Sequence, residues 1–98
     1  MLSYILLSKS PNAKKKYRVV LPNGEHVDFG ASGYEDYTTH KDPDRKDRYL
    51  ARHAKNENWN DPFTAGFWSR WLLWNKPSIE ESIKDIEGML KIKILTNI

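Results

Sequence analysis

His40, His53, Asp36 and Asp42 come nearest in this chain to the residue types of a metal site or a proton relay. A metal needs at least three ligands in a consistent geometry. No HxxxH, HxH or cysteine spacing supplies them, so the two histidines read as hydrogen-bonded or surface side chains. Asp36, Asp42, Asp44 and Asp47 offer carboxylates of the kind a magnesium nuclease uses, but capping, helix-dipole and ion-pair roles account for the last three. Ser69 and Ser78 have no base close in sequence. Gly30-Ala31-Ser32-Gly33 is too short for a phosphate loop and lacks the helix context. No catalytic, cofactor-binding or metal-binding set is expected.

Arg45, Arg48, Arg52 and Lys55 are a stronger feature. They are spaced three, four and three apart, so one helix presents them on one face. Such a face is solvated, or contacts phosphate with help from Tyr49 and the Lys14–Lys16 run, or pairs with acidic groups of a protein partner. Arginine suits the last use because its guanidinium fork matches a carboxylate bidentately. The chain also has four tryptophans. They are mainly core residues, yet Trp, Tyr and Arg dominate protein–protein hot spots. At least one of Trp59, Trp68 and Trp74 is therefore expected to reach a surface, and these three join the four cations as candidate partner-binding residues, for protein or phosphate.

Composition sets the frame for these features. At 98 residues the chain reads as one domain, 1–98, with one modest core. Hydrophobic residues make up 39%, with twelve aromatics supplying large apolar areas from few positions. The formal charge of +3 permits nucleic-acid binding without demanding it. The absence of cysteine removes disulfides and thiolate metal sites. The apolar run within residues 1–7 is too short to span a bilayer and lacks the flanks of a signal peptide, so no membrane span is expected.

The elements that must position the candidates follow from local pattern. Tyr4–Leu7 predicts a short strand and Ser10–Lys16 a loop. Tyr17–Leu21 and His26–Phe29 flank Pro22-Asn23-Gly24-Glu25, and Asn-Gly predicts a hairpin because both residues tolerate positive φ. Gly30 and Gly33 bracket an irregular turn, and Tyr34–His40 reads as a loop or a single helical turn. Asp42-Pro43 marks a helix start, with Asp42 as cap and Pro43 at the first position, running to about Lys55. Phe63–Asn75 predicts a second helix whose Phe67, Trp71 and Trp74 share a face, extended by Trp68 and Leu72, with Leu73 nearly opposite. It is apolar almost all round, so it is buried or covered by a partner. Phe67, Trp71 and Leu72 are the expected core, with Ile79, Ile83 and Val27 as neighbours. Ser78-Ile79-Glu80-Glu81 is a capping box opening a third helix that Gly88 should end. From Met89, Leu90, Ile92 and Ile94 alternate with lysines as a last strand. The expected fold is α+β: a small antiparallel sheet, made of the hairpin 17–29 and the terminal strands, covered by about three helices.

Phe29-Gly30, Tyr34 to Thr38, His40 to Asp42, Arg48 to His53, Trp59, and Ala65 to Pro77 form a joint pattern. It resembles a family of small proteins encoded by nucleocytoplasmic large DNA viruses, of the chlorella-virus, mimivirus and faustovirus kind. The resemblance implies a viral origin and raises the expectation of a virion component. Together with the surplus of Trp, Tyr and Arg, it leads to the expectation of a non-enzymatic structural protein. The specific expectation is a minor capsid protein that fastens larger capsid subunits, in the virion and, during assembly, in the host-cell cytoplasm or virus factory. Its partners would be other capsid proteins, with no small-molecule substrate and no cofactor. The rival expectation is a nucleic-acid-binding protein that packages or regulates viral DNA through the basic helix. A weaker third reading is an interaction module acting on host proteins.

Overall fold

Alternation of apolar and polar residues builds the sheet. A computed structural model describes residues 3–98, so Met1 and Leu2 lie outside the described residues. Strand β1 (Tyr4–Lys9) buries Ile5 and Leu7 and turns Leu6 outward, as the period of two in a strand requires. Strands β2 (Lys15–Val20) and β3 (His26–Ala31) form the hairpin. Its turn is not the double left-handed one that Asn-Gly favours. Gly24 has φ +90°, while Asn23 stays out of the left-handed region. Pro22 pre-sets a negative φ at the first turn position, the Gly24 N–H donates to the Leu21 carbonyl at 2.9 Å, and only the glycine takes the reversal.

The strand order is β3-β2-β1-β4. The first two pairings are antiparallel, but β4 (Lys93–Asn97) runs parallel to β1, with Ile94 beside Ile5 and Leu95 beside Leu6. The sheet is therefore mixed rather than wholly antiparallel. A parallel pair requires the chain to cross over between its strands, and the helices make that crossing. The fold is α+β, one four-stranded sheet with helices packed on one face. No helix among the described residues is long and apolar enough to cross a membrane.

After the hairpin comes a helical turn, α1 (Tyr37–His40), capped by Asp36. Helix α2 (Pro43–His53) starts as predicted. The Asp42 carboxylate accepts from the Asp44 and Arg45 N–H groups at 3.0 and 3.4 Å, and Pro43 needs no such partner.

The second predicted helix departs from regularity. It begins as α3 (Ala65–Trp68), capped by the Thr64 hydroxyl, and continues as a π-helix over Ser69–Leu73, closed by the Trp74 N–H donating to the Ser69 carbonyl at 3.0 Å. The i→i+5 bond shifts every later residue around the axis. Leu73, expected opposite the buried face, becomes a core residue, and Trp71, expected at its centre, is only half-buried. Phe67 and Leu72 are buried as the pattern indicated, and Ile79, Ile83 and Val27 pack at the edge of the core.

Helix α4 (Ile79–Leu90) is capped by Ser78, whose hydroxyl accepts from the Glu81 N–H at 3.2 Å. It runs through Gly88 rather than ending there. Packing of Leu90 against the core extends the helix by half a turn, and Lys91 takes the left-handed exit at φ 54°. The last strand accordingly starts later than Met89. Ile5, Leu7, Val19 and Phe29 from the sheet meet Phe67, Trp68, Leu72 and Leu73, and Ile86 and Ile94 close the core.

Candidate functional site: a basic cleft beside the arginine helix

The predicted arginine stripe is split by the fold. Arg45 and Arg52 turn toward a cleft of about 460 Å³ between α2, the β2–β3 strands and the α3–π-helix segment. Arg48 is exposed on the outer side of α2, and Lys55 is exposed just past the helix end. Among the described residues no ion pair forms to Arg48, Arg52 or Lys55, and Arg45 meets only Glu35, at 3.7 Å.

Two close approaches shape the cleft. Gly30 sits at φ +79°, and a Cβ there would lie 2.9 Å from Leu73 Cδ1, so only glycine lets the sheet edge meet the π-helix. On the other side a Cβ at Gly66 would meet the Glu57 carboxyl carbon at 3.0 Å, so Glu57 lies directly over the start of α3. Both Glu57 oxygens are engaged: one with His53 Nδ1 at 3.1 Å, the other accepting from the Trp59 indole N–H at 2.9 Å. Asp36 is engaged in the same way. It accepts from Lys16 Nζ at 2.6 Å and from the Thr38 N–H and hydroxyl.

Aromatic rings form a column behind the cleft. Trp74 stacks on Tyr49 at 4.2 Å with the planes 2° apart, Tyr49 stacks on His53 at 4.2 Å, and His40 lies 5.2 Å from Trp74. The π-turn swings Trp74 into this column. Lys46 pins α2 to the chain after it by donating to the Asn75 carbonyl at 2.8 Å, and its Nζ lies 5.0 Å from the Tyr37 ring centre. Burial first, then repulsion from Arg70 and Lys76, lowers the Lys46 pKa. Burial, and then the charge of Glu57, raises that of the Tyr49 phenol well above its ordinary value. The His40 Nδ1 accepts from the Asp42 N–H at 3.0 Å, which places the ring proton on Nε2 in the neutral form. That nitrogen is buried without a partner among the described residues.

The other tryptophans have separate duties. Trp68 is 0% exposed, with its indole N–H donating to the Pro62 carbonyl at 2.8 Å, so it is a core residue and not a contact for any partner. It was a candidate because the sequence does not say which turn of an all-apolar helix faces inward. Trp59 is half-buried, and its carbonyl accepts from the Trp71 indole at 2.8 Å. Arg70 lies between these two rings, 5.5 and 4.1 Å from their centres. Trp74 is half-buried in the column.

The fold thus brings Arg45, Arg52 and Trp74 to one cleft and leaves Arg48, Lys55, Trp59 and Trp68 outside it. Among the cleft's other charged members, sequence reasoning had Lys15 only as part of the Lys14–Lys16 run and Asp36 and His53 only as a metal or relay set it set aside, and it missed Glu35 and Glu57. The i,i+4 spacing of Tyr49, His53 and Glu57 was a usable signal, because such residues are helical neighbours. The pairing of Lys16 with Asp36, across the hairpin, left no local trace. Chemically the cleft holds one more formal positive than negative charge among its Lys, Arg, Asp and Glu side chains, with two of its carboxylates already hydrogen-bonded. Among the described residues no three His, Asp or Glu side chains gather as a metal set would.

No curated protein and no solved structure matches the chain. A family model, described as a family of unknown function (DUF5754), matches residues 5–53, half of the chain. The matched span covers β1 to the end of α2, and so includes Lys15, Asp36, Arg45 and Arg52 but none of the tryptophans. The chain belongs to this family of unknown function, DUF5754.

Proposed function

We propose that the chain is a non-enzymatic structural protein of a large DNA virus, a minor capsid protein that fastens larger capsid subunits. The observation that carries this reading is that Arg48, Arg52 and Lys55 are each exposed, with no ion pair among the described residues. Two unengaged arginines on one rigid helix, with Lys55 just past its end, suit an acidic protein surface. A fastener needs a second contact face, and the uncovered side of the sheet offers one. There Val20, Leu6 and Leu95 lie side by side on three strands, with Leu6 and Leu95 exposed. The resemblance of the 29–77 run to proteins of large DNA viruses supports the viral setting.

A specific observation favours the rival, a nucleic-acid-binding protein. Lys15 and Lys16 line the same cleft as Arg45 and Arg52, so the loop lysines and the arginine helix act from one side of the molecule. Lys16 is committed to Asp36, however, and Glu35 and Glu57 share the cleft, which weakens the attraction for a continuous phosphate chain.

Changing Arg45, Arg48 and Arg52 together to glutamine separates the two. For a capsid fastener the variant folds but is lost from particles, while the wild-type protein binds DNA feebly at physiological salt. For a DNA packager each phosphate contact contributes about −0.9 to the log–log salt slope, and the variant flattens it by about two to three units. Unchanged incorporation with a salt-steep DNA affinity lost in the variant overturns the proposal.

A further inference from the structure

We infer that the cleft beside α2 receives an extended acidic segment of a protein partner, one carboxylate meeting Arg45 and a second meeting Arg52. This rests on the protein-docking reading above and gives it a site and a chemistry.

The charge balance of the cleft carries the inference. Among the described residues its lining holds four cations, Lys15, Lys16, Arg45 and Arg52, and three carboxylates, Glu35, Asp36 and Glu57. Asp36 neutralises Lys16 at 2.6 Å, and both Glu57 oxygens are taken by His53 and Trp59. Lys15 and Arg52 form no ion pair among the described residues, and Glu35 holds Arg45 only at 3.7 Å, a distance an incoming carboxylate can better. The volume, about 460 Å³, falls within the range of ligand-binding clefts.

Spacing defines the form of the segment. Arg45 and Arg52 are seven residues apart on one helix, about 10.5 Å along its axis at roughly 1.5 Å per residue. A polyproline II chain returns to the same edge every third residue, having advanced about 9.3 Å. Two acidic residues three apart in such a segment therefore reach both guanidinium groups. Ala31 and Ala65 are exposed wall residues with short side chains, so a backbone can lie close to them. A nucleic acid fits less well. It carries a negative phosphate at every nucleotide, which sets negative charge against Glu35 and Glu57, whereas a peptide can offer neutral residues there.

The probe is a fluorescein-labelled seven-residue peptide, two prolines flanked by aspartates, titrated into the full chain by fluorescence anisotropy at low and physiological salt. Its asparagine counterpart and a twelve-nucleotide oligo-dT run in parallel. Saturable binding of the acidic peptide alone is expected. Arg45→Gln and Arg52→Gln should each weaken it about tenfold, the usual scale for one charge-assisted hydrogen bond. Ala31→Leu, which narrows the recess and leaves charge intact, should weaken it as well. Lys84→Gln on α4 removes the same charge away from the cleft and should change affinity less than twofold. The inference is overturned by absence of saturation, by equal losses in Lys84→Gln and the arginine variants, or by tighter binding of the oligonucleotide. Particle incorporation is measured separately, so failure here is distinguishable from failure of the capsid reading.

Discussion

Replacing Trp68 by alanine should come close to unfolding the protein. The side chain is fully buried, with its ring 6.1 Å from that of Phe29 and 5.3 Å from that of Phe67. Removing it withdraws on the order of 150–200 Å² of buried apolar surface, about 4–5 kcal/mol at roughly 25 cal/mol per Å². It also strips the Pro62 carbonyl of its indole donor, about 1 kcal/mol more. Total stability for a domain of this size is roughly 5–15 kcal/mol. At about 4–8 °C per kcal/mol, the midpoint should fall by on the order of 20–50 °C. Trp68→Phe should lie between, keeping aromatic contact while losing the hydrogen bond. Trp59→Ala, half-buried at the surface, should cost no more than about 1–2 kcal/mol. Circular dichroism melts of the three variants, with urea titrations at 25 °C, make the comparison. The packing argument fails if Trp68→Ala melts within about 5 °C of wild type, or if Trp59→Ala costs as much as Trp68→Ala.

Asp42→Ala should cost about 1 kcal/mol by removing the α2 cap, read as a lower urea midpoint at unchanged slope. Gly30→Ala combines a left-handed φ with a 2.9 Å approach to Leu73, and should destabilise by about 1–3 kcal/mol in the same assay. Tyr49 predicts a pH dependence on the alkaline side. Burial holds its phenol protonated in the folded chain where the unfolded chain's phenol has ionised. The folded state then binds more protons, so stability falls as pH rises above about 10. Tyr49→Phe should make that fall shallower, and an identical pH profile in wild type and variant would contradict the assignment.

Local rules carried the outline of this fold and failed where tertiary contacts decide. Asp42-Pro43 and Ser78 fix helix starts through their own side chains, and both stand where the pattern put them. Gly88 was read as a stop, yet packing of Leu90 outweighed the roughly 1 kcal/mol that a mid-helix glycine costs. The π-turn was invisible because Ser69–Leu73 has no proline or glycine to mark it, and a nearly all-apolar helix gives no phase from which to detect a shift of register. That hidden residue is what moved Trp71 off the core, brought Leu73 in and carried Trp74 to Tyr49. The parallel β1–β4 pairing also could not be read locally, because Leu90, Ile92 and Ile94 alternate alike for either direction. At the site, spacing put Arg45 and Arg52 on one helix face. Their separation from Arg48 and Lys55, and their meeting with Lys15 and Glu57, depend on how the hairpin and α3 close around α2.

Mass spectrometry of gradient-purified, nuclease-treated virions of the virus proposed to encode the chain, followed through graded detergent extraction, tests the proposed capsid role most directly. The account predicts that the protein is a reproducible particle component, survives nuclease treatment and leaves with the capsid fraction. Absence from purified particles, or loss together with the digested nucleic acid, would contradict it.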